Sequence, residues 1–178
     1  MSSWPARRRS LIGVVLAALV VSLFPARAGA SQRWEIPNVL VITKSSNRNQ
    51  VNYLVEVDGE CVPAGSTPVR PYWRMLERGP MATEPLSKSE QRVLGVESQT
   101  VDGHRIQLAL RAMPTRLITI ETQRDANGRC SSSAEMTIAG TPARVAGVFV
   151  QQKLFGIDYI LLTGWRGDGA AIRERLSL

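Results

Sequence analysis

From residue 38 onward, apolar and polar positions alternate two by two far more often than they recur at helical spacing. Successive strand side chains point to opposite faces, so such alternation marks half-buried strands. Residues 38–43 read as a first strand, and the polar run 45–49 turns the chain. In 50–57, Val51, Tyr53, Val55 and Val57 take one face against Asn52, Leu54 and Glu56 on the other. Further strands are expected over 68–77, 96–101, 104–111, 116–122, 133–138, 144–152 and 157–163. The last of these is followed by 170–178, which fits a closing strand or a terminal helix. Residues 79–84 read as a loop. Asp-Gly or Asn-Gly pairs begin at 58, 102, 127 and 168, each between strand candidates, and such pairs favour hairpin turns.

The helical exception is short. Ser87-Lys88-Ser89-Glu90 is a capping box, in which serine and glutamate satisfy each other's backbone N–H. It predicts a helix near 88–94, with Val93 and Leu94 turned inward and Gly95 ending it. About nine strands without β-helix-β alternation predict an all-β fold, a mostly antiparallel sandwich or barrel.

Within 68–77, parity splits the side chains. Val69, Pro71, Trp73 and Met75 share the face suited to a core. Arg70, Tyr72, Arg74 and Leu76 share the wetter one. Pro71 has no N–H for a ladder, so this strand starts late, lies at an edge or carries a bulge.

The N-terminus changes the picture of where the chain works. Arg7, Arg8 and Arg9 precede an uncharged run from Leu11 to Phe24, and Ala28-Gly29-Ala30 offers a small-x-small cleavage site. That is the layout of a secretory signal peptide over 1–30, leaving one β-rich domain over 31–178. An uncleaved N-terminal anchor is the alternative. The run is shorter than the roughly 20 apolar residues a span requires, so no stable membrane span is expected after cleavage. The expected location is periplasmic or extracellular. Arg8-Arg9 also fits a loose twin-arginine signal.

The leader also changes the charge. The chain is +7, but residues 1–30 hold four arginines and no acid. Residues 31–178 keep eighteen bases against fifteen acids, or +3, with no lysine/arginine block. Nucleic acid is therefore not an expected partner. Cys61 and Cys130 are the only cysteines. In an oxidising compartment the pair favours a structural disulfide over free thiols or a redox or metal site.

Candidate chemistry is sparse. His104 is the only histidine, at the expected inward rim of a hairpin. It is read as a turn-flanking residue, with a general base as the sharper alternative. One histidine excludes a histidine-rich metal site. Glu90 could act as an acid or base, but its capping position already explains it. Asp58-Gly59-Glu60 is a turn and lacks the ligands of a calcium loop. Serine-nucleophile, zinc-protease and phosphate-loop motifs are absent, and no cofactor is expected. Two contact patches remain. Arg70, Tyr72 and Arg74 could hold an anion or a sugar, or could simply be a solvated face. Trp165 and Arg166, in a glycine-rich loop, could form an interaction surface, or could be an exposed hairpin loop.

Several stretches together resemble a known family. They are Ser46-Asn47-Arg48-Asn49, Pro68-Val69-x-x-Tyr72-Trp73, Leu86-Ser87-x-x-Glu90, Gly95-Val96, Val148-Phe149-Val150-Gln151 and Ile157-Asp158-Tyr159-Ile160-Leu161-Leu162-x-Gly164. In this order they resemble a bacterial group of exported proteins known as domain of unknown function 4833. Many members carry Ala-Tyr-Gly where this chain has Val93-Leu94-Gly95, so no role for that tyrosine carries over. The resemblance implies export and one mostly β domain, and it brings no catalytic residues. The expected function is that of an exported β-domain serving as a binding or interaction module, with an envelope component or small ligand as partner. An envelope-acting hydrolase and a structural envelope component are the alternatives.

Overall fold

Alternating burial runs through the strands of the computed structural model, which describes residues 33–154 and 156–177. The predicted leader over 1–30 lies outside the described residues. The elements are β1 (Trp34–Lys44), β2 (Asn47–Val57), β3 (Val69–Arg74), β4 (Thr83–Pro85), α1 (Lys88–Leu94), β5 (Val96–Asp102), β6 (Arg105–Leu110), β7 (Met113–Arg124), β8 (Cys130–Ile138), β9 (Thr141–Lys153), β10 (Gly156–Trp165) and β11 (Ala171–Ser177). The fold is all-β with one short helix, as expected. Two strands exceed the expected nine. Residues 83–85 pair with β3, although 79–84 read as a loop, and the undecided C-terminus is strand β11.

One mixed sheet runs in the order β4-β3-β2-β1-β9-β8-β7-β6-β5. Its neighbours are antiparallel except β1 and β9, which run parallel over Ile42–Lys44 and Val148–Val150. The sheet branches at β9. Val148 pairs with Ile42 of β1 and also with Leu162 of β10, and β11 continues outward from β10. Apolar residues on both faces of 144–152 suit this central place.

The sheet rolls up around a single core. Val51, Tyr53 and Val55 of β2 join Ile106, Leu108 and Leu110 of β6, Ile118 and Ile120 of β7, Ile138 of β8, and Ile160 and Leu162 of β10. Fully burying one such side chain stabilises the fold by about 1.5–3 kcal/mol. The two arms meet at β3 and β5 without a backbone ladder. Gln99 of β5 spans this seam, accepting from the Val69 N–H at 3.0 Å and donating to the Val69 carbonyl at 3.4 Å. A side-chain amide thus takes the place of a strand pair, and the barrel stays incompletely closed. Pro71 is tolerated because β4 covers only Tyr72 to Arg74, leaving the outer edge of β3 unpaired there.

Cys61 and Cys130 form a disulfide with a Cα–Cα separation of 5.4 Å. It ties the β2–β3 loop to the start of β8. Thr122 Oγ1 donates to the Cys61 carbonyl at 2.7 Å, and His104 Nδ1 lies 3.2 Å from the same oxygen. A carbonyl only accepts, so Nδ1 carries the proton. His104 is exposed, not turned inward. Asp102 pairs with Arg105, so Gly103-His104 are the central turn residues and His104 leaves the ladder.

The β8–β9 hairpin has a two-residue loop, Ala139-Gly140, with φ of 48° and 77°. Positive φ at both positions is the type I′ geometry that favours Asn-Gly. Alanine stands in the Asn position, and its backbone N–H donates to Glu174 of β11 at 2.7 Å. The Arg116 guanidinium and this N–H hold the Glu174 carboxyl below its ordinary value. Ala139→Asn keeps that N–H and relieves the left-handed backbone. It should stabilise the protein by about 1 kcal/mol, read as a higher urea midpoint at unchanged slope. An unchanged or lower midpoint would refute the turn assignment.

Candidate functional site

The capping box forms as the sequence predicts. Ser87 Oγ accepts from the Glu90 N–H at 3.3 Å, and the Ser87 N–H donates to Glu90 Oε2 at 2.8 Å. The helix ends at Gly95, whose N–H donates to the Gln91 carbonyl at 3.0 Å. Gly95 is extended, with φ −73°, and is not left-handed. Glycine is needed for another reason: a Cβ there would lie 2.2 Å from the Gln91 carbonyl oxygen. The far end of α1 is tied to the core, because buried Tyr53 donates its hydroxyl to the Leu94 carbonyl.

So anchored, α1 stands as a wall with two faces. Ser89, Glu90, Val93 and Leu94 look onto one groove, while Lys88, Gln91, Arg92 and Gly95 look onto another. This is the partition that about 100° per residue imposes. Val93, expected inside, is 45% exposed on the rim of the first groove.

That first groove is the mouth of the rolled sheet. It measures about 910 Å³ and lies between α1, the ends of β1 and β3, and the β9–β10 turn. Its floor is a small apolar recess of about 80 Å³ formed by Ile42, Val51, Trp73, Leu94, Val150 and Ile157. Lys44 sits over Trp73, its Nζ 4.5 Å from the ring centroid. Glu90 lies beside both. Burial pushes its carboxyl up, but the Ser87 hydrogen bonds, the Trp73 indole and the Lys44 charge outweigh this and hold it below its ordinary value. Ionised Glu90 therefore stabilises the cluster above that ordinary value. The contribution is lost only as pH falls through the lowered one. Leu154, 89% exposed, completes the rim with Val93. The mouth thus offers an apolar floor, two cations (Lys44 and Lys153), one anion (Glu90) and a polar fringe of Ser45, Ser46, Ser89, Gln151 and Gln152.

The other sequence candidates lie apart from this mouth. Trp73 is buried and faces the core, while Tyr72 faces outward with the arginines, as parity required. Arg70 is engaged by Glu35 and Glu56, and the Tyr72 hydroxyl donates to Asn38 at 3.2 Å. Asn52, fully buried beneath them, donates to Asn38 but leaves its own Oδ1 without a partner. Arg74 is half-buried and makes no ion pair among the described residues. Trp165 is 52% exposed opposite Arg144, and Arg166 pairs with Asp168 at 3.2 Å. His104 is bound to Cys61 and Glu90 neighbours Trp73. Trp73 pairs with Val51 of β2, whereas Cys61 lies in the turn that follows Val57 at the other end of that strand, six residues on and roughly 20 Å away. His104 and Glu90 therefore share no cleft. Three or more metal-ligating side chains do not cluster among the described residues.

The fold and the mouth define an all-β domain that opens at one end. Residues 40–175 match the family described as domain of unknown function (DUF4833), and the chain belongs to it. No curated protein and no solved structure matches the chain.

Proposed function

We propose that the protein is an exported β-domain that binds a small ligand in the mouth between α1 and the β9–β10 turn, and that it acts as a binding module and not as a catalyst. Export is supported by the arginine-led apolar run over 1–30 and by a disulfide suited to an oxidising compartment. Among the described residues no helix is long and apolar enough to cross a membrane. The observation that carries the binding reading is the apolar floor, uncovered among the described residues, with Lys44 and Glu90 at its edge. Pockets of this volume in barrel mouths, with few convergent polar groups, are where β folds take ligands. Each methylene of a guest buried there would gain about 0.8 kcal/mol.

Native mass spectrometry of the exported protein tests this. A bound small molecule is expected, on a chain beginning at Ser31, and Val93→Asp should strip it. Val93 is exposed, so that change leaves the core intact. A bare wild-type protein, or an adduct unaffected by Val93→Asp, would overturn the mouth as the site.

A further inference from the structure

We propose that the second groove, on the opposite side of α1, binds a multiply charged phosphate-class anion. It is about 550 Å³ and lies over the open seam, where β3 and β5 meet without a ladder. Arg70, Lys88, Arg92 and Arg111 line it, and among the described residues no acidic side chain does. Two of these cations are held from behind. Arg70 is gripped by Glu35 and Glu56, and Arg111 by Glu97 at 3.4 Å and by the Val96 carbonyl. Their forks are therefore oriented before a ligand arrives.

Lys88 and Arg92 make no ion pair among the described residues. They stand four residues apart on one helical face, a repulsive arrangement. Lys88 is also the first residue of α1, where the helix dipole disfavours a cation. Folding alone gives no reason for this placement, and an anion bridging the groove does. A single carboxylate would answer only one of the two charges, Lys88 and Arg92, that make no ion pair. Phosphate groups present several oxygens to guanidinium forks and to a lysine point charge. The same chemistry comes from a soluble phosphate compound or from a phospholipid headgroup.

Two probes separate these sources: inorganic pyrophosphate, and vesicles of phosphatidylglycerol in phosphatidylcholine. At least one should bind saturably, weaken with salt, and raise the melting temperature where it is soluble. Lys88→Gln combined with Arg92→Gln should weaken it by about tenfold or more, since charge-assisted contacts are lost. Glutamine keeps helix propensity, so α1 persists. Arg173→Gln removes an exposed cation of β11 and should change nothing. Binding to pyrophosphate alone assigns a soluble ligand. Vesicle binding that is lost in the double variant assigns a lipid headgroup. No binding to either probe, or equal weakening by Arg173→Gln, would overturn the proposal.

Discussion

Replacing Cys61 and Cys130 by serine is expected to remove about 4 kcal/mol of unfolding free energy. The bridge joins residues 69 apart, and a loop of that length restricts the unfolded chain strongly. The native contacts around it do not depend on sulfur. Thr122 and His104 still hold the Cys61 carbonyl, and Arg124 still donates to the Gly59 carbonyl. The effect therefore falls mainly on the unfolded state. Urea unfolding of the double variant should show a lower midpoint and a steeper slope, because an uncrosslinked unfolded chain exposes more surface. Adding reductant to the wild type should reproduce both. Identical midpoints with and without the bridge would refute this assignment.

Tyr53→Phe should cost about 1–3 kcal/mol and should act at one place. Tyr53 is fully buried in β2, and burial pushes its hydroxyl well above the ordinary tyrosine value. It stays a neutral donor to the Leu94 carbonyl, one of the orphan acceptors at the end of α1. Phenylalanine keeps the core volume and leaves that carbonyl without its partner. The helix then keeps its capping box but loses its inner anchor. Hydrogen exchange should rise in the α1 amides while those of β6 and β7 stay protected. Unchanged stability together with unchanged α1 exchange would sink the idea that this bond fixes the mouth's wall.

Tyr53 and the helix it anchors were unequally legible in the sequence. The alternation of β2 placed Tyr53 on the core face, and the same parity placed Trp73 inside and Tyr72 outside. The capping box located α1 because its signal is local. Its inner contacts are long-range, which is why Val93 was expected inside and lies on a rim. The three-residue β4 has no alternation to detect. The start of β1 was hidden by the irregularity between Ile36 and Leu40, where Asn38 has φ 59°. His104 was misplaced because parity with Ile106 holds only inside a ladder, and the turn takes His104 out of it.

The mouth itself was not legible. It gathers Lys44, Trp73, Glu90 and Ile157, drawn from segments more than a hundred residues apart, and only the roll of the sheet brings them together. Each has a plain local reading as a strand end, a core aromatic, a helix cap or a strand apolar residue. The seam groove is similar. Arg70 was visible as a candidate, but its partners on α1 and at Arg111 meet only because β3 and β5 fail to pair. A composition of +3 over residues 31–178 does not disclose that four cations line one groove.

The most direct test of the account is a nuclear magnetic resonance titration of the isotope-labelled protein with the small molecule recovered from its native preparation. The account predicts the largest shifts at Lys44, the Trp73 indole N–H, Leu94, Gln152 and Ile157, with the β10–β11 loop unmoved. Shifts centred on Trp165 and Arg166, with the Trp73 indole unchanged, would contradict it and move the binding surface to the glycine-rich loop.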